Sequence, residues 1–441
     1  MRKHILIVVG IFVAIGAAVL IYLLQPDRAR LAVAAVTGST PQITPARQQV
    51  LPTVNIADPV GWNGAKPTAA AGLQVQPFAS GLDHPRWMVR LANGDVLVAE
   101  TNSPPRDGGG ITAKVMNFLM GRAGAGTPSA NRITLLRDAD GDGVAEARSA
   151  LLTGLNSPFG MAVVGPWLYV ANTDALVRFP FTVGQTKITA APEKVIDLPG
   201  GGNHWTRNVV ANPAGDTLFV SIGSATNIAD NGLAAEEGRA RIIEVNPQTK
   251  TSRVFAAGLR NPVGMAINPD TQRLWTAVNE RDMLGSDTPP DYMTQVEFGG
   301  FYGWPYSYWG GYVDARVETE RPDLLEYTAR PDYALGPHTA SLGLSFAGDA
   351  QLGPRFAKGA FVGQHGSWNR VPASGYKVVY VPFAPNGFPV RGAKPVDVLT
   401  GFLDGEGDAR GRPVGVITDR TGALLVADDV GNVIWRVSAA R

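Results

Sequence analysis

Hydrophobic and polar positions alternate in short runs along most of the chain, and from about residue 72 these runs recur as a unit. Each unit opens with a loop of small residues, continues into an apolar strand, turns at Asn, Asp or Gly, and enters a second apolar strand. Most copies are followed by a further strand-like run, such as ARIIEVNP or YKVVYVPF. Short strands separated by hairpin turns, at a loose period of about 50–80 residues, predict a β-propeller. The six copies of the unit cover residues 81–100, 154–172, 203–223, 258–280, 338–366 and 411–429.

A generic β-sandwich is the alternative fold, but it would not repeat a sequence motif such as GL-x-x-P-x-G-M, which occurs at residues 154–161 and 258–265. The fold class is therefore all-β, a six-bladed β-propeller over residues 72–441. The run LQVQPF precedes the first unit, and we expect it to pair with the C-terminal strand around NVIWRVS. Such pairing would tie the two ends of the propeller together and remove exposed sheet edges.

The first 24 residues follow a different pattern. A basic start at Arg2 and Lys3 is followed by about 20 apolar residues, a length that spans a bilayer. The apolar core of a cleaved signal peptide is usually shorter. We therefore expect residues 1–24 to anchor the protein in the inner membrane, with the body in the periplasm; secretion after cleavage is the alternative. Residues 25–71 are rich in Pro, Ala, Thr and Gln and predict a flexible tether.

Composition excludes several functions. Lys and Arg number 39 against 38 for Asp and Glu, so the net charge of +1 gives no reason to expect a nucleic-acid partner. The chain has no cysteine, which excludes disulfides, a cysteine nucleophile, thiolate metal sites and a covalently attached c-type haem. Neither G-x-x-x-x-G-K-[ST] nor a helix-opening G-x-G-x-x-G occurs, so a nucleotide phosphate site lacks support.

The loops that open the blades carry the candidate chemistry, because such loops converge around the axis of a propeller. Several like charges around one axis repel unless something anionic sits among them. The alternative is that each arginine braces neighbouring loops through backbone carbonyls, but four arginines at corresponding places, with a histidine, favour an anionic ligand. These residues are His204, Arg260, Asn261, Ser341, Arg370, Arg410 and Arg412.

Two spans exceed the repeat, at residues 103–130 and 306–337. The first is rich in Gly and Pro around a short apolar piece, and the second carries YSYWGGY with little periodicity. Long loops on a rigid scaffold usually shape a functional site. We expect them to determine substrate specificity.

Five motifs occur in the order of a known family. The chain resembles the soluble pyrroloquinoline quinone (PQQ) sugar dehydrogenases, most closely the sorbosone dehydrogenase branch, over about residues 72–440. The resemblance implies a propeller enzyme that binds PQQ, a tricarboxylate ortho-quinone, together with Ca²⁺. The motifs are NHWTRN, GLRNPVGM, GGFYGWP, HGSWNR and ARGRPVG.

The resemblance makes His204 the general base, and general chemistry agrees. Oxidising a sugar hydroxyl or a hydrated aldehyde requires removal of the O–H proton while hydride leaves the adjacent carbon, and imidazole suits this role. Arg260 would stabilise the quinone oxygen as it becomes negative. With no haem of its own, the enzyme would pass electrons to an external acceptor, a membrane quinone or a separate cytochrome. The residues that the resemblance assigns to cofactor binding are Arg260, Asn261, Ser341, Arg370, Arg410 and Arg412.

Calcium binding is expected beside the cofactor, and a second segment has part of a calcium-binding pattern. By resemblance, the ion beside the cofactor would be held at VNERD, by the carbonyls of Glu280 and Arg281 or by the carboxylates of Glu280 and Asp282. Separately, DADGDGVAE at residues 138–146 matches the first half of a calcium loop, but Ser149 occupies the twelfth position, where a bidentate Glu is expected. A tight acidic turn is therefore the favoured interpretation of that loop, and a weak calcium site is the alternative.

Two other functions are compatible with a propeller. One is a calcium-dependent sugar lactonase, whose site would gather acidic and amide ligands at the axis and would have no use for several arginines. The other is a non-enzymatic adhesion or scaffold propeller that binds a protein partner on its top face. The inward-facing arginines and the single imidazole favour the quinoprotein dehydrogenase.

Overall fold

The computed structural model describes residues 11–20, 25–47, 52–105, 121–318 and 321–440. Within these ranges the chain forms six antiparallel sheets of four main strands each, arranged as consecutive blades. Each repeat predicted from the sequence supplies the first two strands of one blade. The six-bladed propeller is therefore confirmed.

The first half of the propeller follows two leading strands, β1 (Thr68–Ala69) and β2 (Leu73–Ser80). Blade 1 consists of β3 (Pro85–Arg90), β4 (Val96–Glu100), β5 (Arg132–Arg137) and β6 (Ala147–Leu152). Blade 2 consists of β7 (Met161–Val164), β8 (Trp167–Ala171), β9 (Ala175–Pro180) and β10 (Glu193–Asp197). Blade 3 consists of β11 (Val209–Ala211), β12 (Leu218–Ile222), β13 (Arg241–Val245) and β14 (Ser252–Ala257).

The second half carries more insertions. Blade 4 consists of β15 (Pro262–Ile267), β16 (Leu274–Val278), β17 (Pro290–Gln295) and β20 (Tyr333–Pro337), and its insertion holds the ribbon β18 (Ser307–Tyr308) and β19 (Tyr312–Val313) and the helix α1 (Pro322–Glu326). Blade 5 consists of β21 (Ser345–Phe346), β22 (Gly359–Gln364), β23 (Lys377–Pro382) and β24 (Val396–Thr400). Blade 6 consists of β25 (Pro413–Thr418), β26 (Leu424–Asp428) and β27 (Val433–Ala439). Short 3₁₀ turns lie at Val33–Val36, Leu233–Glu236 and Pro354–Phe356, and a π-type turn lies at Gly121–Ala125.

The first strand of each blade lies innermost, because the first strands of neighbouring blades contact one another in a closed ring around the axis. The ring closes where β2 completes the sheet of blade 6, with Leu73 opposite Ala439 and Ser80 opposite Val433. This pairing confirms the closure expected from LQVQPF and NVIWRVS. It leaves blade 6 with four strands, like the other blades.

The hydrophobic core lies between neighbouring blades rather than at one centre. Apolar side chains from the two facing sheets form six clusters, one at each blade interface. Between blades 1 and 2, for example, the rings of Trp87 and Phe159 lie 5.1 Å apart. Burying one such side chain stabilises the fold by roughly 1.5–3 kcal/mol. The alternating side chains of each strand therefore pack its blade against both neighbouring blades. This packing fixes the loops at the axis.

Residues 25–71, in their described parts, do not form the separate tether that the sequence predicted. They lie along the propeller as a strap, in which β1 pairs with β24. Asp27 and Thr53 are buried, and the backbone amide of Asn55 donates to the Trp368 carbonyl. The prediction was wrong because it took the lack of a periodic hydrophobic pattern in this segment as a sign that the segment does not pack on the propeller. A segment that docks through backbone hydrogen bonds onto existing loops and an edge strand needs no such period.

The expected anchor, residues 1–24, lies largely outside the described residues. Residues 11–20 are helical. Among the residues that the structure describes, no helix has both the length and the apolar character needed to cross a membrane.

Candidate active site

A cavity of about 310 Å³ lies at the axis, where the blade-opening loops meet. Its walls come from blades 1, 3, 4, 5 and 6, with Gly124 of the first long loop at the edge. A volume near 300 Å³ is at the lower end of the range for small-molecule sites. The charged and imidazole residues that line it are His84, Arg86, His204, Arg260, Asp282, His365, Arg412 and Asp429.

His204 is held in one tautomer. Its Nδ1 lies 2.8 Å from the Ser224 carbonyl oxygen and 2.9 Å from Ser224 Oγ. Ser224 Oγ donates its own hydrogen to the Thr226 carbonyl at 2.7 Å. Both Ser224 atoms therefore accept from Nδ1–H, which places the lone pair of the neutral imidazole on Nε2. This arrangement leaves Nε2 as the basic nitrogen of a half-buried side chain that lines the cavity.

The small residues before His204 allow this placement. Gly202 has φ +79°, and a Cβ there would lie 2.8 Å from the Ala225 Cα. The Asn203 amide donates to the Ala225 carbonyl at 2.7 Å. Glycine is therefore needed to bring the loop close enough to blade 3 for the hydrogen bond between His204 and Ser224 to form.

Arg260 is buried at the cavity wall. Its guanidinium donates to the backbone carbonyls of Asn227, Asn279 and Glu280, the last at 2.8 Å. Burial lowers the pKa of Arg260, while Asp282, whose carboxylate lies 3.9 Å from Nη2, opposes that change. Its Nη2 also donates to Asn227 Oδ1 at 2.8 Å, so the guanidinium is held by loop oxygens, like that of Arg370, although Arg260 lines the cavity.

Asn261 and Arg412 also line the cavity, and each has a buried polar atom without a hydrogen-bond partner among the described residues: Asn261 Oδ1 and Arg412 Nε. Arg412 is otherwise held by the Ala57 carbonyl at 3.2 Å and lies over the Tyr376 ring at 4.8 Å. An unpaired buried donor or acceptor costs about 1–3 kcal/mol. A bound polar ligand would remove this cost.

Three predicted cofactor residues lie outside the cavity. Ser341 is fully buried and bonds to Thr339 Oγ1 at 2.8 Å. Arg370 turns away, with Nε donating to the Ser286 carbonyl at 2.8 Å. Arg410 is half-buried and does not line the cavity. For Ser341 and Arg370 the bracing interpretation holds, because loop carbonyls and hydroxyls already satisfy their polar atoms.

The three predicted calcium ligands do not converge. Asp282 lines the cavity, and its carboxylate accepts a hydrogen bond from His338 Nδ1 at 3.0 Å. Glu280 Oε2 instead pairs with Arg281 Nε at 2.9 Å, and the Glu280 carbonyl accepts from Arg260. Arg281 is fully buried between Glu280 and Asp314. Of the three predicted calcium ligands, only Asp282 therefore lines the cavity.

Sequence reasoning missed a second charged cluster on the opposite side of the cavity. Asp429 Oδ2 lies 2.9 Å from Arg86 Nη1, 2.9 Å from His365 Nε2 and 3.3 Å from His84 Nε2. Burial alone would raise the pKa of Asp429, but these three partners outweigh it and the pKa is lowered. Burial lowers the pKa of His84 to about 4 and also lowers that of His365.

The electrostatic balance of the cavity follows from these shifts. With His84 and His365 neutral, the charged lining consists of Arg86, Arg260 and Arg412 and the carboxylates of Asp282 and Asp429. The excess of one positive charge favours an anionic ligand. No sequence spacing relates Asp429 to His84, since only closure of the ring brings blade 6 against blade 1. The available signals were His84 at the opening of its repeat and His365 directly after the second strand of blade 5.

The acidic loop at residues 138–146 lies apart from the cavity, on the outer hairpin of blade 1. Oxygen atoms of Asp138, Asp140, Asp142 and Glu146 lie within 4.8 Å of one another. The backbone amides of Gly141 and Gly143 donate to Asp138. This geometry is compatible with both an acidic turn and a weak calcium site.

Comparisons with known proteins agree with this architecture. A family model described as TrAA12-like matches residues 67–295 and 323–440. A curated relative, the pyrroloquinoline quinone-dependent pyranose dehydrogenase of Coprinopsis cinerea, is 24% identical over 362 residues, which cover 71% of this chain and 44% of the relative. The calcium structure of Trichoderma reesei Carbohydrate-Active Enzymes Family AA12 superposes with a TM-score of 0.70 at 19% identity, over 88% of this chain and 99% of that chain. The holo form of the pyranose dehydrogenase PQQ domain from Coprinopsis cinerea gives 0.66 at 21% identity, over 87% and 100%.

At these identities the solved structures support the fold. The chain spans about half the length of the curated relatives it matches, 60% of an uncharacterized protein from Borreliella burgdorferi and 44% of the pyranose dehydrogenase. The resemblance to PQQ sugar dehydrogenases is confirmed at the level of the family, whereas the sorbosone branch stays a prediction. Since the family model matches well over half of the chain, this protein belongs to the TrAA12-like family.

Proposed function

We propose that the chain is an oxidoreductase that binds PQQ in the axial cavity and oxidises a sugar or a sugar aldehyde, of the sorbosone or aldose type. The observation that carries the proposal is the tautomer of His204. A neutral imidazole with Nδ1–H held by Ser224 has its basic nitrogen at Nε2, and the side chain lines the same cavity that Arg260 and Arg412 line. The names of the pyranose dehydrogenase relative and of its PQQ domain support the same chemistry.

The lining residues fit a polyanionic planar cofactor. Arg412 supplies a guanidinium whose buried Nε lacks a partner among the described residues, and guanidinium groups suit carboxylates. Arg86 and Arg260 add positive charge to the lining, although Arg86 also pairs with Asp429 and Arg260 donates to loop carbonyls. Asn261 Oδ1 and Arg412 Nε are buried and lack a partner among the described residues, as expected where a ligand completes the hydrogen bonding. Arg260, Asn261 and Arg412 would hold the cofactor. Ser341, Arg370 and Arg410 would support it only through the loops that they brace.

The roles of the chain's own residues follow from their positions. His204 Nε2 would accept the proton of the sugar hydroxyl, or of the hydrated aldehyde, while the neighbouring carbon gives up hydride. PQQ, when bound, supplies the electrophilic quinone carbon that takes this hydride. Arg260, fixed by three carbonyls, would stabilise negative charge that develops nearby. Trp205 and Trp368, which also line the cavity, would offer ring faces to the sugar.

Calcium remains a prediction, and no step in this mechanism uses it. A calcium structure of the Trichoderma reesei AA12 protein supports an ion in the family. In this chain only Asp282, among the predicted ligands Glu280, Arg281 and Asp282, lines the cavity. A calcium titration of the purified protein, followed by calorimetry, with Asp282→Asn as the variant, tests whether the cavity takes the ion.

A calcium-dependent lactonase is less well supported than the dehydrogenase. Such a site needs several oxygen or imidazole ligands around one point. Among the described residues, the acidic loop on blade 1 is where three or more such ligands approach one another, and it lies away from the axis. A non-enzymatic scaffold would not need the His204 tautomer or the buried arginines that line the cavity.

Location and partners are also proposals. The apolar N-terminal sequence supports a periplasmic protein anchored to the inner membrane, with secretion after cleavage as the alternative. The absence of cysteine, and so of a c-type haem site, supports an external electron acceptor, either a quinone or a cytochrome. Cell fractionation tests the first proposal. Turnover with each acceptor tests the second.

The decisive experiment is reconstitution of the purified full chain with PQQ, with and without calcium. We expect a quinone absorbance band that bleaches on addition of a substrate sugar. A panel of aldoses, pyranoses and sorbosone then identifies the preferred substrate. Hydrolysis of sugar lactones without PQQ would instead establish the lactonase, and a lack of response to both sugars and lactones would favour the scaffold.

A further inference from the structure

A short insertion in blade 3 contacts both partners of the pair formed by His204 and Ser224, or the segments that carry them. The insertion joins β12 to β13 and contains the 3₁₀ turn Leu233–Glu236. Two of its charged side chains are buried, Glu236 at 7% exposure and Arg239 at 8%. Carboxylates and guanidinium groups are rarely buried unless they are paired. The partners of these two side chains therefore indicate what the insertion does.

The carboxylate of Glu236 binds two successive residues, Ala225 and Thr226. Its Oε2 accepts from the Ala225 amide at 2.6 Å. Its Oε1 accepts from the Thr226 amide at 2.9 Å and from Thr226 Oγ1 at 2.7 Å. Hydrogen bonds to an ionised group are about twice as strong as those between neutral groups. Three of them fix the backbone of this segment, and with it the residues on either side, Ser224 and Asn227.

Ser224 and Asn227 are the residues that hold the two proposed catalytic groups. Ser224 accepts from His204 Nδ1 through its carbonyl and its hydroxyl. Asn227 accepts from Arg260 twice, with its carbonyl from Nε at 3.1 Å and with its Oδ1 from Nη2 at 2.8 Å. The Ser224 amide also donates to the Arg260 carbonyl at 2.8 Å. One segment of four residues therefore sets the position of the imidazole relative to the guanidinium.

Arg239 holds the loop that carries His204. Its Nη2 donates to the carbonyls of Gly200 and Gly201, the second at 3.2 Å. The Arg239 amide donates to the Glu236 carbonyl at 3.0 Å, which ties the two buried side chains to one turn of chain. The insertion thus secures the histidine loop through Arg239 and the segment that accepts from the histidine through Glu236.

We propose that Glu236 is a positioning residue for the oxidation, because it fixes His204 and Arg260 relative to each other, while Arg239 supports the histidine loop. The proposal rests on the proposed function, in which His204 takes the proton and Arg260 stabilises the developing negative charge. Neither Glu236 nor Arg239 lines the axial cavity, so both act through the residues that they hold. A misplacement of about 1 Å at an active site costs on the order of 10²-fold in rate.

The tautomer of His204 in the cofactor-free full chain tests the proposal without any turnover. Glu236→Gln removes the charge and one acceptor with little change in shape, and Glu237→Gln is the matched control, because the adjacent Glu237 is exposed. Ring-nitrogen NMR signals of ¹⁵N-labelled histidine report the tautomer, and His204→Gln identifies the signals of His204. We expect the Nδ1–H tautomer in the wild type and in Glu237→Gln, and a mixture of both tautomers in Glu236→Gln. Unchanged ring signals in Glu236→Gln would overturn the proposal.

Turnover of the PQQ-loaded enzyme gives a second readout. Glu236→Gln should lower kcat at least tenfold and change the KM for the sugar less than threefold, because it misplaces the base but leaves the lining of the cavity intact. Glu237→Gln should leave both constants within twofold of the wild type. A wild-type kcat in Glu236→Gln would also overturn the proposal.

Glu236→Asp provides a second variant in case Glu236→Gln does not fold. It keeps the charge but withdraws the carboxylate by one methylene group from Ala225 and Thr226. We expect the same two effects, a mixture of His204 tautomers and a lower kcat at an unchanged KM. Wild-type ring signals together with a wild-type kcat in this variant would contradict the positioning role.

The two readouts separate this proposal from the proposed function. If no sugar bleaches the loaded wild-type protein, the proposed function fails, and the ring signals of the cofactor-free chain still decide whether Glu236 orients His204. If sugars bleach the wild type and Glu236→Gln equally fast, the proposed function stands and the positioning role of Glu236 fails.

Discussion

His204 Nδ1 donates to both acceptor atoms of Ser224, the carbonyl oxygen at 2.8 Å and the hydroxyl oxygen at 2.9 Å. This pairing fixes the tautomer and makes Nε2 the basic nitrogen. If His204 is the general base, His204→Ala should lower kcat by about 10²–10⁴, the usual contribution of a positioned base. The dissociation constant for PQQ should change less than threefold, because the cofactor is held by arginines.

Ser224→Ala tests the same role of His204 with a milder change. It removes the hydroxyl acceptor but keeps the carbonyl, so kcat should fall less than in His204→Ala. The pH profile of kcat separates orientation from basicity, since a change in basicity would shift the acidic limb, whereas a change in orientation alone would lower kcat at every pH. Wild-type turnover in His204→Ala would remove this residue from the mechanism.

The two arginines of the RGR sequence in blade 6 make a direct test of the cofactor site. Arg412 lines the axial cavity and has a buried Nε without a partner among the described residues, whereas Arg410 lies outside the cavity. Arg412→Lys should raise the dissociation constant for PQQ at least tenfold, because lysine lacks the planar fork. Arg410→Lys should change it less than twofold. Fluorescence titration with PQQ measures both, and equal effects would contradict the assignment.

The positions of these arginines in the structure show which parts of the site can be predicted from the sequence. The repeats predicted the blades and their order, because strand alternation depends on local sequence. They also indicated Arg260 and Arg412, which line the axial cavity. Ser341 lies before the first strand of blade 5 and Arg370 after its second strand, and the direction of each side chain is decided by the nearest unsatisfied acceptor, such as the Ser286 carbonyl for Arg370. Such acceptors belong to other loops and have no signature in the repeat itself.

The cluster around Asp429 marks a second limit of sequence reasoning. Asp429 meets His84 and Arg86 only because β2 closes the ring against β27. Residues 345 positions apart in the chain, as His84 and Asp429 are, share no spacing that a motif could reveal. The strap was missed for a related reason, since its hydrogen bonds use the backbone and leave the side-chain pattern irregular.

Trp62 of the strap is expected to contribute to stability through one hydrogen bond. Its Nε1 donates to Asp428 Oδ2 at 2.7 Å, and its ring packs against Trp435 at 5.0 Å. Trp62→Phe keeps most of the ring contact and removes the donor to a buried carboxyl. We expect a loss of about 1–3 kcal/mol in the free energy of unfolding. Denaturant unfolding measures the change.

Trp275→Phe is the matched control for this substitution. Trp275 is fully buried, but its Nε1 has no hydrogen-bond partner among the described residues. The substitution therefore removes volume without removing a hydrogen bond. Because Trp275 is fully buried and Trp62 is half-buried, the loss in Trp275→Phe is an upper bound on the packing loss, and a larger loss in Trp62→Phe would come from the hydrogen bond to Asp428. No loss of stability in Trp62→Phe would show that this hydrogen bond contributes nothing.

Asp428 should also control how stability depends on pH. Burial raises its pKa from the ordinary value of 3.8 to about 6, although Trp62 and two backbone amides oppose the change. Between these values the native state holds a proton that the unfolded state has lost. Stability from this group is therefore present at low pH and falls as the pH rises through 6, by on the order of 3 kcal/mol.

His84 acts in the opposite direction over the same range. Burial lowers its pKa from 6.5 to about 4, so between pH 4 and 6.5 the unfolded state binds the extra proton and stability rises with pH. The two contributions partly cancel in the wild-type protein. Asp428→Asn should therefore make the free energy of unfolding rise more steeply from pH 4 to 6.5, and His84→Gln should make it rise less steeply or fall. Urea unfolding at several pH values measures both slopes, and parallel wild-type and variant curves would show that neither group changes its protonation on folding.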